Sequence, residues 1–250
     1  MRSTEPRHRG IYLLPNAFTT AALFAGFYAI VQAMNDRFEA AAIAIFVAMV
    51  LDGMDGRVAR LTNTQSAFGE QYDSLSDMTS FGVAPALVMY EWILHDLGRW
   101  GWIAAFIYVA GAALRLARFN INIQVVDKRF FQGLPSPASA ALVAGFVWLA
   151  IDNKLPINEA WMPWAAFVIT IYAGASMVSN APFFSGKSFA LSRSVPFWGI
   201  LLVVLAIAFI SSDPPIVLFT LFIIYGLSGY VMWAIRWKKH RKLQESRRRQ

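Results

Sequence analysis

Long apolar runs alternate with short polar breaks from one end of the chain to the other. Eight runs have roughly the 20 residues that a bilayer requires. They cover 11–34, 39–60, 75–97, 99–119, 134–152, 161–179, 194–211 and 215–235. The breaks are short and polar or proline-bearing, as in Asp152-Asn153-Lys154-Leu155-Pro156 and Ser212-Asp213-Pro214-Pro215. The pattern predicts an all-α fold: a polytopic transmembrane bundle of about eight helices, with nothing left over for a sizeable soluble domain. Residues 1–250 read as a single integral-membrane domain, with 1–10 an N-terminal segment and 236–250 a basic tail. The first run is longer than a signal-peptide core, and Val31-Gln32-Ala33 is a poor cleavage site, so it is expected to be a retained helix.

Composition agrees and narrows the classes. Of the 250 residues, 57% are hydrophobic and only 15% charged, against about 25% charged in an average soluble domain. Mean hydropathy is +0.48. Disordered and coiled-coil readings fail on these figures. Cysteine is absent, which removes disulfides, thiolate metal sites and cysteine nucleophiles. The net charge of +7 could serve nucleic acid or a membrane topology. Charge placement decides between them. With a cytoplasmic N-terminus, only Arg37, Arg99 and Lys154 of the 22 basic residues fall on the outer side, the bias of the positive-inside rule. Both termini are then expected to be cytoplasmic, in the cell inner membrane. The tail Arg236-Trp237-Lys238-Lys239-His240-Arg241-Lys242 reads as a topogenic segment facing anionic inner-leaflet lipids, and no nucleic-acid partner is expected.

Four acids do not fit a lipid-facing role. Asp52 and Asp55 end the second run, and Asp73 and Asp77 begin the third. An intramembrane carboxylate costs about 2.5–3.5 kcal/mol on insertion scales. Spacings of i,i+3 and i,i+4 put each pair on one helix face, and Gly56 and Ala59 share the face of Asp52 and Asp55. Four carboxylates at one depth repel unless cations sit between them, and Arg57 and Arg60 cannot neutralise four. All-oxygen ligation suits hard cations, Mg²⁺ or Mn²⁺, and a two-metal carboxylate site suits phosphoryl chemistry. An ion-coupled transporter is the other reading of intramembrane acids. It leaves the adjacent glycines and arginine unexplained and asks for acids at the centres of other runs, where there are none.

In full, the segment is Asp52-x2-Asp55-Gly56-x2-Ala59-Arg60-x8-Gly69-x3-Asp73-x3-Asp77. It resembles, at every position and spacing, the DxxDGxxARx8GxxxDxxxD motif of the CDP-alcohol phosphotransferase family. The resemblance implies that Asp52, Asp55 and Asp73 ligate one divalent ion, and Asp52, Asp73 and Asp77 a second. It implies that Asp77 is the general base for the acceptor hydroxyl. Gly56, Ala59, Arg60 and Gly69 would receive the cytidine diphosphate, with Ser66 close to it. Pro15-Asn16-Ala17-Phe18-Thr19 is similar to the family's Pro-Asn-x-x-Thr segment, which places Asn16 and Thr19 beside the nucleotide. A homodimer is expected on the same ground.

The motif leaves serine, glycerol phosphate, inositol phosphate and choline open as acceptors. A second segment narrows them. Ala113-Leu114-Arg115-Leu116-Ala117-Arg118-Phe119-Asn120, followed by Phe130-Phe131-Gln132-Gly133-Leu134-Pro135-Ser136-Pro137, resembles the RLARFN … FxGLPSP stretch of the branch that uses CDP-diacylglycerol and L-serine. A serine carboxylate needs a cation. Arg115 and Arg118, at the depth of the aspartates, are the candidates, with Asn120 and Arg129 behind them.

Overall fold

The computed structural model describes residues 13–62, 64–122, 130–155, 159–185 and 197–248. It is a bundle of α1 (Leu13–Ala33), α2 (Phe38–Thr62), α3 (Ala67–Asp77), α4 (Ala84–Trp92), α5 (Arg99–Asn122), α6 (Ser136–Leu149), α7 (Met162–Val178), α8 (Phe197–Ser212) and α9 (Pro214–Arg248). Each of the eight apolar runs corresponds to a helix, except that the third is composite. It starts as the polar α3, passes through a π-helical turn at Met78–Val83, and continues as α4 and a 3₁₀ turn at Leu94–Leu97.

Among the described residues, three helices are long and apolar enough to cross a bilayer: Leu14–Ala33, Arg99–Ile121 and Pro214–Lys238. Shorter apolar helices cover Ser136–Asp152, Met162–Val178 and Leu201–Ser212. The second run stands apart because α2 carries Glu39, Asp52, Asp55, Arg57 and Arg60, the third because it is broken. The protein is an all-α membrane bundle.

Small residues set the packing. Ala29, Ala33, Ala41, Ala42 and Ala48 are fully buried where α1 meets α2, as expected where helices associate by close backbone approach. Gly111 of α5 faces Gly174 of α7: a Cβ on Gly111 would lie 2.5 Å from the Gly174 carbonyl oxygen. Around this frame, Phe46, Trp92, Phe146, Trp148, Phe219 and Phe222 interlock, the Trp92 and Phe146 rings meeting edge to face at 5.8 Å. The outward face of α8 is apolar and exposed, through Trp198, Leu202, Val203 and Leu205, as a lipid-facing helix should be.

Two features depart from the sequence reading. β1 (Phe130–Gln132) and β2 (Pro182–Phe184) pair antiparallel, Phe131 opposite Phe183. The fifth helix begins at Ser136 rather than 134, because Gly133 takes φ +81°, a left-handed turn that glycine adopts at no steric cost. The turn is pinned by the Gly133 N–H donating to the Ala181 carbonyl and the Leu134 N–H to Ser176.

Candidate active site

α2 and α3 each present one acidic face to the site. Carboxylate oxygens of Asp52, Asp55 and Asp73 lie within 4.8 Å of one another. Asp77, one turn beyond Asp73, is within hydrogen-bond distance of Asp52. The structure thus brings all four acids into one cluster. Among the described residues, Asp73 Oδ1 and Asp77 Oδ1 are buried without a hydrogen-bond partner. Buried carboxylate oxygens lacking a donor are costly, and a set made only of carboxylate oxygens suits a hard divalent cation. The residues present therefore fit the metals that the sequence calls for.

α1 braces this cluster. Thr19 Oγ1 donates to Asp55 Oδ2 at 2.7 Å. Ser76 Oγ donates to the Thr19 carbonyl and Ser80 Oγ to the Ala22 carbonyl, so one serine face of the third run rides along α1. Gly26 makes this possible, since a Cβ there would lie 2.5 Å from Ser80 Oγ. The Tyr108 hydroxyl of α5 donates to the Phe81 carbonyl inside the π-helical turn, holding the widened turn that directly follows Asp77.

On one side of the acids opens a cleft of about 180 Å³, lined by Asn16, Thr19, Asp55, Gly56, Ala59, Arg60, Ser66, Gly69 and Asp73 among others. All seven residues expected beside the nucleotide are in that wall. Gly56 leaves space, since nothing lies within 4 Å of where a Cβ would stand. Ser66 caps α3, its Oγ accepting from the Gly69 N–H at 3.0 Å, so the hydroxyl anchors the cleft wall as well as facing it. Thr64, Gln65 and Glu70 also line the cleft. Nothing in the motif marks them; they arrive because the loop and first turn of α3 must pass there.

On the other side stands Arg115. It is buried, and its Nη1 donates to Ser136 Oγ at 2.6 Å. Its charge is felt by Asp52 and Asp77. Arg118, expected to share this role, is placed elsewhere. Its guanidinium donates to the carbonyls of Gln132, Met177, Val178 and Ser179 and to Asn180 Oδ1, and so closes the end of α7 and the strand pair. Asn120 exchanges hydrogen bonds with Ser74, the neighbour of Asp73. Arg129 lies outside the described residues. Ser136 was missed as a site residue: locally it is only a helix start, and its partner lies 21 residues away.

Residues 12–172 match the sequence model of CDP-alcohol phosphatidyltransferases. The chain belongs to that family. Among curated relatives, the CDP-diacylglycerol–serine O-phosphatidyltransferase of Helicobacter pylori strain 26695 is 36% identical over 227 residues, covering 90% of this chain and 94% of the relative. The enzyme of the same name from Mycobacterium tuberculosis H37Rv is 36% identical, covering 81% of this chain and 72% of its own. That from Methanocaldococcus jannaschii is 40% identical over 136 residues, 54% of this chain and 59% of its own. The matched region holds the whole acidic cluster, its cleft and Arg115.

Proposed function

We propose that the protein transfers the phosphatidyl group of CDP-diacylglycerol to the hydroxyl of L-serine, forming phosphatidylserine and CMP. The observation that carries this reading is the arrangement of the four aspartates between a small-residue cleft and a buried arginine. A diphosphate fits the first wall and an acceptor bearing a carboxylate fits the second. The three relatives named above are serine O-phosphatidyltransferases by name, which favours the same acceptor.

Asp52, Asp55 and Asp73 would hold one divalent ion and Asp52, Asp73 and Asp77 another, Mg²⁺ or Mn²⁺. Such ions, when bound, neutralise the diphosphate and stabilise the departing CMP. Gly56 and Ala59 let the diphosphate approach the α2 backbone, and Arg60 pairs with a phosphate oxygen. Asn16, Thr19, Ser66 and Gly69 flank the nucleotide. The Asp77 carboxylate takes the proton of the serine hydroxyl. The serine oxygen forms a bond to the β-phosphorus as the bond from that phosphorus to the oxygen of CMP breaks. Arg115 receives the serine carboxylate and thereby aims the hydroxyl at Asp77. Arg118 and Asn120 support this wall from behind.

The whole chain, 1–250, works as one catalytic unit in the inner membrane. Its termini and active site face the cytoplasm, its basic tail lies against anionic lipid, and two copies associate. A soluble nucleotide and a lipid tail can then meet at the membrane surface without the lipid leaving the bilayer.

The deciding experiment supplies the purified protein in detergent with CDP-diacylglycerol, Mg²⁺ or Mn²⁺, and one alcohol at a time. CMP release with L-serine, and little with glycerol 3-phosphate, inositol phosphate or choline, is the expected outcome. Preference for any of the others overturns the serine assignment while leaving the phosphotransfer reading intact.

A further inference from the structure

Arg115 is a buried cation held by a neutral group. Among the described residues its only hydrogen-bond partner is the Ser136 hydroxyl, at 2.6 Å. That hydroxyl orients the guanidinium but does not neutralise it, and the carboxylates that act on its charge are those of Asp77 and Asp52. The nearby carboxylates, Asp52 and Asp77, belong to the acidic cluster, which is itself short of cations. Arg115 therefore keeps donors and charge for an anionic ligand.

Ser136 is built to be an unmoving acceptor. It is completely buried and is the first residue of α6. The turn leading to it is fixed at three points: the Gly133 N–H on Ala181, the Leu134 N–H on Ser176, and the Gln132 carbonyl on Arg118. Gly133 leaves no room for adjustment, because its Cβ position is already filled by the Met177 carbonyl. A long arginine side chain has about 2 kcal/mol of rotamer entropy to lose on being ordered; a rigid acceptor settles that cost before the ligand arrives.

We infer that Ser136 is a specificity-determining positioning residue, which holds the Arg115 guanidinium ready for the carboxylate of the acceptor and so makes the enzyme prefer an amino acid to an uncharged alcohol. This rests on the assignment of Arg115 to the serine carboxylate in the proposed function. In this assignment Ser136 acts on the acceptor only through the Arg115 guanidinium that it holds. Its loss should therefore weaken acceptor binding and leave the chemistry nearly intact.

The test compares L-serine with L-serine methyl ester, which keeps the hydroxyl and lacks the carboxylate charge. For Ser136→Ala, the KM for L-serine should rise about 10-fold, the loss expected when one hydrogen bond to a charged group is removed. kcat and the KM for CDP-diacylglycerol should stay within about 2-fold, and the preference for serine over its ester should fall by about the same 10-fold. Ser136→Cys, which keeps the volume and removes a good acceptor, gives the same readout should the alanine variant fold poorly. A serine-to-ester preference unchanged in both variants, or an equal loss of kcat with both acceptors, overturns the role of Ser136 alone. If the wild-type protein already fails to distinguish serine from its ester, the Arg115 assignment fails and this inference with it.

Discussion

Thr19 of α1 donates a 2.7 Å hydrogen bond to the Asp55 carboxylate of α2, across 36 residues of sequence and at the edge of the acidic cluster. A carboxylate has two oxygens and several lone pairs; using one on Thr19 fixes the direction of the other. The bond thus aims the carboxylate to which the proposed function assigns a metal, as well as joining two helices. Thr19→Val keeps the shape and removes the donor. A hydrogen bond to a charged group is worth about 1.5–3 kcal/mol, and part of that is recovered if Asp55 turns toward a cation. We expect the Mg²⁺ or Mn²⁺ concentration for half-maximal activity to rise about 10-fold with little change in thermal stability. An unchanged metal requirement would refute the aiming role.

Asp77 lies outside the cleft wall, and its Oδ1, like that of Asp73, is buried without a partner among the described residues. Asp77→Asn keeps its size and removes both the anion and the proton acceptor. Transfer to serine should fall below about a thousandth of wild type, the scale on which general-base and charge-stabilising roles combine. Binding of CDP-diacylglycerol, measured by its protection against thermal unfolding, should largely persist, because Asp77 is not in the cleft wall. Substantial residual turnover sinks the general-base assignment.

Gly56 separates stability from activity. It sits within α2, and a Cβ built on it meets nothing within 4 Å, so a side chain there costs the fold nothing by clash. Replacing a helical glycine by a good helix former gains about 0.5–1 kcal/mol. The same side chain would project into a cleft of only about 180 Å³. Gly56→Leu should therefore melt at or above the wild-type temperature and yet use CDP-diacylglycerol at least about 100-fold less well, a loss of about 2.7 kcal/mol. A destabilised variant, or one with normal activity, contradicts the cleft as the nucleotide site.

The acidic motif was legible because everything it needs is local. Helical periodicity alone puts Asp52 with Asp55 and Asp73 with Asp77, and the cost of four carboxylates at one depth demands cations. The arginines were not legible in the same way. Arg115 and Arg118 share a face by spacing, but the groups that separate them are non-local: Ser136 for one, and carbonyls of residues 132 and 177–179 for the other. The strand pair escaped for a related reason, since Phe131 meets Phe183 across some fifty residues of mostly helical chain. The break in the third run could have been suspected. Ser76 and Ser80 lie four residues apart on one helix face, and such a polar stripe asks for backbone carbonyls on a neighbouring helix.

Arg118 gives the clearest contrast with Arg115. Its guanidinium ties the last carbonyls of α7 to β1 through five hydrogen bonds, a cation at a helix C-terminus where the orphan carbonyls and the macrodipole both favour it. Arg118→Met keeps the aliphatic stem and leaves those carbonyls unpaired. We expect a loss of about 2–3 kcal/mol, or a melting temperature lower by roughly 4–12 °C for a chain of this size. Arg118→Lys should recover only part of it, because an ammonium offers three donors from one point where the planar fork serves five acceptors. Activity per folded molecule should fall modestly, with the serine and CDP-diacylglycerol KM values moving together, since the end of α7 supports the Gly133 turn. An Arg115 variant is expected to behave in the opposite way, with a small change in melting temperature and a large, selective loss of serine use. If instead Arg118→Met melts normally and loses serine selectively, Arg118 binds the acceptor and the two arginines exchange roles.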